Sequence, residues 1–84
     1  MKVRYKGPTF GGGVLGLTDG KTYECTGVEY DLLRIIDDEG EDYLYSAFAP
    51  APLNGKTPPG KWEIVEDDKD GTLARLLERN RHDR

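Results

Sequence analysis

Thr22-Tyr23-Glu24-Cys25-Thr26-Gly27-Val28-Glu29-Tyr30 is the stretch on which the fold turns. Residues 22–26 alternate polar and apolar, the period-two signature of a half-buried strand, with Tyr23 and Cys25 inward. At Gly27 the phase slips, because the next apolar residues are Val28 and Tyr30. A one-residue slip at a glycine marks a β-bulge, which bends a strand and lets a small sheet curl.

Working outward, Leu32-Leu33-Arg34-Ile35-Ile36 is the most apolar run, and its two isoleucines favour a strand. Asp37-Asp38-Glu39-Gly40 follows as a turn closed by glycine in the left-handed conformation, and Glu41-Asp42-Tyr43-Leu44-Tyr45 returns. Upstream, Thr18-Asp19-Gly20-Lys21 is a tight turn. Lys2-Val3-Arg4-Tyr5-Lys6 is a strand with Val3 and Tyr5 inward, ended by Gly7-Pro8. Prolines at 50, 52, 58 and 59 make residues 46–61 a loop. Trp62-Glu63-Ile64-Val65-Glu66 is the last strand, with Trp62 and Ile64 on one face. Beyond it, Leu73, Leu76 and Leu77 recur at helical spacing, predicting a short helix over about 71–80 with Asp70 as its cap.

The chain thus divides into a body, 1–68, and a basic helix or tail, 69–84. The body holds thirteen acids against seven Lys/Arg, and the tail three acids against five. Five short strands expose edges unless they close, so the expected fold is all-β: a five-stranded, partly open SH3-like barrel with a short C-terminal helix.

The segments Gly16-Leu17-Thr18-Asp19-Gly20-Lys21-Thr22-Tyr23-Glu24, Leu33-Arg34-Ile35-Ile36-Asp37-Asp38-Glu39-Gly40-Glu41, Tyr43-Leu44-Tyr45 and Trp62-Glu63-Ile64-Val65 resemble a group of small SH3-like barrel proteins from low-GC Gram-positive bacteria and their phages. The resemblance spans roughly residues 1–66, with loop 46–61 longer than the short proline turn of that group. It implies a fold and no activity, since fold alone does not set function.

Composition narrows the function. The 84 residues contain no apolar run long enough for a membrane helix. The basic start leads into no apolar stretch of a signal peptide, and Cys25 is the single cysteine, so the cytoplasm is expected. Gly11-Gly12-Gly13-Val14-Leu15-Gly16 satisfies G-x-G-x-x-G formally, but a turn follows it, where a dinucleotide site needs a helix. Gly16-Leu17-Thr18-Asp19-Gly20-Lys21-Thr22 is one residue short of a phosphate loop and runs into a strand. Cys25 faces inward, away from His82, the one histidine, so no nucleophile–base pair forms. The carboxylates of residues 37–42 sit on a hairpin tip, where water keeps them ionised, and lack calcium-loop spacing. Neither an enzyme, nor a metal site, nor a cofactor is expected.

A non-catalytic protein-interaction module with an unidentified protein partner is the expected function. The aromatics supply its contact residues: Tyr43, Tyr45, Phe48 and Trp62. If Leu44 points inward, Tyr43 and Tyr45 both face solvent beside an acidic hairpin, the material of a peptide groove. The alternative is nucleic-acid or ribosome association through Arg75, Arg79 and Arg81, against which the acidic body weighs. Lys2 and Arg4 are expected to pair with Glu63 and Glu66 across the first and last strands. The helix face of Leu73, Leu76 and Leu77 docks on the barrel, makes a weak homodimer, or stays unfolded.

Overall fold

Each strand forms where alternation or β-branching requires it. The computed structural model describes residues 1–11, 16–51 and 57–81, with side chains to residue 78. The elements are β1 (Lys2–Lys6), β2 (Thr22–Glu29), β3 (Leu32–Ile36), β4 (Asp42–Ser46), β5 (Lys61–Glu66) and α1 (Thr72–Arg81). The five strands form one antiparallel sheet in the order β4-β3-β2-β1-β5. The fold is all-β with one short C-terminal helix, as expected, and the sheet has β4 and β5 as its two edges.

The bulge in β2 is what curls the sheet. Lys2 and Arg4 of β1 pair with Glu24 and Thr22, while Cys25 to Glu29 pair with β3. The register shifts between Cys25 and Gly27, at the predicted slip. One strand therefore serves two halves of the sheet, with a bend between them.

Tight turns set the corners. Gly40 has φ +75° and its N–H donates to Asp37 O at 2.9 Å, closing the β3–β4 hairpin. Gly20 has φ +82°, and Lys21 N–H donates to Thr18 O at 3.1 Å. Between β1 and this turn a bridge pairs Phe10 with Leu17, and Leu17 is fully buried.

β5 lies against β1 with Tyr5 opposite Trp62 and Arg4 opposite Glu63. The expected ion pairs form: Lys2 to Glu66 at 3.9 Å and Arg4 to Glu63 at 3.8 Å. All four side chains are well exposed, so each pair contributes at most about 1 kcal/mol.

The core is aromatic. Trp62 meets Tyr5 at 5.6 Å, and Tyr23 and Tyr45 at 6.4 Å each, all edge-on. Large rings fill a small core with few residues, and edge contacts suit their quadrupoles. Leu73 and Leu76 of α1 join the same cluster. Burying each is worth about 1.5–3 kcal/mol, which fixes a helix too short to persist alone. The expected helix face is thus consumed within the chain, and Leu77 is left half-buried.

The helix cap differs from the expectation. Asp70 takes no part through its side chain. Asp67 accepts from Leu73 N–H and Ala74 N–H, both at 2.9 Å, and Asp68 accepts from Thr72 N–H at 2.9 Å. Three orphan amides of the first turn are satisfied from the two residues that follow β5. Gly71, with φ +70°, lets the chain double back so that those carboxylates reach them.

Candidate functional site

The expected contact residues divide. Tyr45 is 3% exposed and Trp62 7%, while Tyr43 and Phe48 pack against the core as half-buried residues. The tyrosines share one face, as expected, but it is the inner one. Leu33 and Ile35 are buried, and their cross-strand partners are Tyr45 and Tyr43. Leu44 points out and is 38% exposed. Tyr45 and Trp62 therefore belong to the core and cannot form a solvent-facing groove.

What permits a buried tyrosine at position 45 is a buried acid. Asp37 is 5% exposed, not a solvated tip residue. The Tyr45 hydroxyl donates to Asp37 Oδ2 at 2.7 Å and accepts from Gly16 N–H at 3.2 Å. Asp37 Oδ1 accepts from Glu39 and Glu41 N–H at 3.0 and 3.2 Å. Burial, then the bond to Asp37, pushes the Tyr45 phenol far above its ordinary range.

Asp38 completes the network. It accepts from Lys21 Nζ, the Tyr23 hydroxyl and the Thr18 hydroxyl, each at 2.8 Å. Burial opposes its ionisation, but these donors outweigh it and hold its pKa below the usual carboxylate value. Burial is also the main reason the Tyr23 phenol is raised. The two acids fasten the β3–β4 turn to the segment between β1 and β2. Among the described residues no buried side-chain nitrogen or oxygen lacks a hydrogen-bond partner, and this cluster is part of how that is met.

Cys25 is buried and its Sγ donates to Gly27 O at 3.3 Å. Burial pushes its thiol above the ordinary range, away from thiolate reactivity. Of the glycine-rich motif, residues 12–15 lie outside the described residues, as do Pro52 of the proline loop and His82. Pro50 is fully buried, its carbonyl accepting from Gly60 N–H at 2.9 Å. Among the described residues no three of His, Cys, Asp and Glu converge to hold a metal ion. None of their helices is long and apolar enough to cross a membrane.

The surface site lies elsewhere. Glu29 pairs with Leu32, so Tyr30 and Asp31 form a two-residue loop between β2 and β3. Tyr30 has φ +57°, the only non-glycine residue with positive φ among those described. Such loops favour glycine, asparagine or aspartate there, because a Cβ crowds the carbonyl. Its side chain is 94% exposed. Beneath it a groove of about 450 Å³ runs between the β2–β3 hairpin and α1, lined by Val28, Tyr30, Thr72, Arg75 and Leu76. Sequence reading places Tyr30 among the apolar residues that follow Gly27, without selecting it as a contact residue. The available signal is a bulky aromatic in a two-residue hairpin loop.

A second groove of about 320 Å³ lies between β5 and α1, with Ile64 and Leu77 flanked by Lys61, Glu63 and Glu78. Arg75, one of the three tail arginines expected to act, lines the first groove. The side chains of Arg79 and Arg81 lie outside the described ones.

No protein-family model matches this chain, and no curated protein or solved structure matches it either.

Proposed function

We propose that this protein is a small, non-catalytic interaction module of the cytoplasm that holds another protein at the groove under Tyr30. The observation carrying the proposal is Tyr30 itself. A large aromatic stands almost wholly in solvent, on a backbone conformation that costs roughly 1–2 kcal/mol for a side chain. Neither its packing nor its turn accounts for the residue, and a contact role does. Exposed aromatics beside an arginine are the residue types that dominate binding energy at protein interfaces. The groove under Tyr30 takes the place of the buried Tyr45 and Trp62 as the contact surface. The likeness of residues 1–66 to small Gram-positive and phage proteins is part of the same reading.

The test is site-specific photocrosslinking in a nuclease-treated extract of the source cell. A photoreactive phenylalanine at position 30 is expected to trap a discrete protein adduct, while the same group at exposed Glu24 traps none. Equal trapping at both positions rejects the groove.

The juxtaposition of Tyr30 and Arg75 also favours a second reading, nucleic-acid or ribosome association through the basic helix. That reading requires affinity that falls steeply with salt. The acids beside Tyr30, Glu29 and Asp31, weigh against it.

A further inference from the structure

The groove under Tyr30 has an apolar lining and a charge, and together they specify an occupant. Val28 and Leu76 line it with apolar groups, together with Tyr30. Its volume of about 450 Å³ falls within the roughly 300–1,000 Å³ typical of ligand clefts.

Arg75 is the one charged side chain lining it. Among the described residues no carboxylate pairs with Arg75, although acids outnumber bases in the chain by sixteen to twelve. Its Nη1 donates to the backbone oxygen of Asp70, which anchors the guanidinium beside the groove. A guanidinium carries five donors, so several remain for a ligand, already oriented.

Nearby acids are largely committed. Glu29 is held by Arg34 at 2.5 Å, and Asp67 and Asp68 are spent on the cap of α1. The groove's own lining thus carries one charge, the cation of Arg75.

We propose that it takes an acidic peptide segment of a partner protein: a carboxylate side chain on Arg75, with a neighbouring apolar side chain between Val28 and Leu76 under the Tyr30 ring. The proposal rests on the interaction-module reading and names the partner's chemistry. A nucleic-acid strand needs a track of cations along several phosphates, and the lining here offers one.

The experiment is selection of a phage-displayed library of random peptides on the whole chain, with anisotropy of the synthesised winners. Winners are expected to carry Asp or Glu within two positions of a large apolar residue. Arg75→Glu is expected to weaken them about tenfold, and replacing the peptide's acid by lysine to restore binding to that variant. Arg75 is exposed, so the variant folds, which its melting curve verifies. Winners without an acid, indifferent to Arg75→Glu, overturn the acidic occupant while leaving the interaction reading intact. No enrichment over a Tyr30→Asn variant overturns the interaction reading as well. Displacement of the winners by oligothymidylate, relieved by salt, overturns both in favour of nucleic acid.

Discussion

The hydroxyl of Tyr45 reaches the carboxylate of Asp37 at 2.7 Å inside the protein, and that bond sets which face of β4 is buried. Tyr45→Phe keeps the ring and removes the donor, stranding one oxygen of a buried acid and the N–H of Gly16. The expected loss is about 1–3 kcal/mol in urea unfolding. Restoring full stability with Tyr45→Phe alone would show that the acid is solvated after all.

The acid network sets a pH dependence. Asp38, Asp67 and Asp68 all have depressed pKa values: Asp38 and Asp67 because hydrogen-bond donors outweigh burial, Asp68 chiefly because the Thr72 hydroxyl donates to it. A depressed carboxylate contributes stability above its unfolded value, near 4, and loses it as pH falls through the folded value. The urea midpoint should therefore fall as pH drops below about 4, less steeply in Asp38→Asn. On the alkaline side, the raised Tyr45 and Tyr23 phenols contribute stability below about pH 10, lost as they ionise. Ultraviolet absorbance of phenolate should rise together with unfolding there.

Two glycines should respond oppositely. A Cβ at Gly60 meets Tyr5 Cε1 at 2.6 Å and the Lys6 carbonyl oxygen at 2.7 Å, and backbone cannot step aside. Gly60→Ala should cost about 1–3 kcal/mol by overpacking. At Gly27 nothing lies within 4 Å of the added carbon, so Gly27→Ala should change stability by no more than about 0.5 kcal/mol despite the bulge. Thermal melts of the pair decide it.

The helix cap separates neighbouring acids. Asp67→Ala frees the N–H groups of Leu73 and Ala74 and should cost about 0.5–2 kcal/mol, with loss of helical circular dichroism. Asp70→Ala should leave the melt unchanged. The reverse order would return the cap to Asp70.

Tyr30→Asn relieves a strained position and should raise stability by roughly 1 kcal/mol. The same variant should abolish peptide capture. A residue that weakens the fold while serving contact is the expected signature of function.

Much of this fold is legible in local pattern. Alternation places Val3, Tyr5, Tyr23 and Cys25 inward, the slip at Gly27 marks the bulge, and the glycines at 20 and 40 mark the turns. All are properties of a few consecutive residues. The phase of Tyr43-Leu44-Tyr45 is different, because both faces of that segment carry apolar groups. The choice is made by Asp37, which becomes a buried acceptor only once residues 16–23 fold over it. The cap of α1 has the same character. Asp67, Asp68 and Asp70 all suit the role by type, and the path of the chain through Gly71 selects among them. Tyr30 stayed unselected because exposure and backbone strain are tertiary facts.

Because β1 lies between β2 and β5, the first strand cannot acquire its second neighbour until residues 61–66 exist. On a ribosome, the outer edge of Lys2–Lys6 waits for residues 61–66 with Val3 and Tyr5 uncovered. Trp62 arrives in the same late segment and meets three tyrosines at once. Completion of the sheet therefore waits on residues 61–66, and the charges of Lys2, Arg4 and Lys6 guard the waiting edge against pairing with another nascent chain.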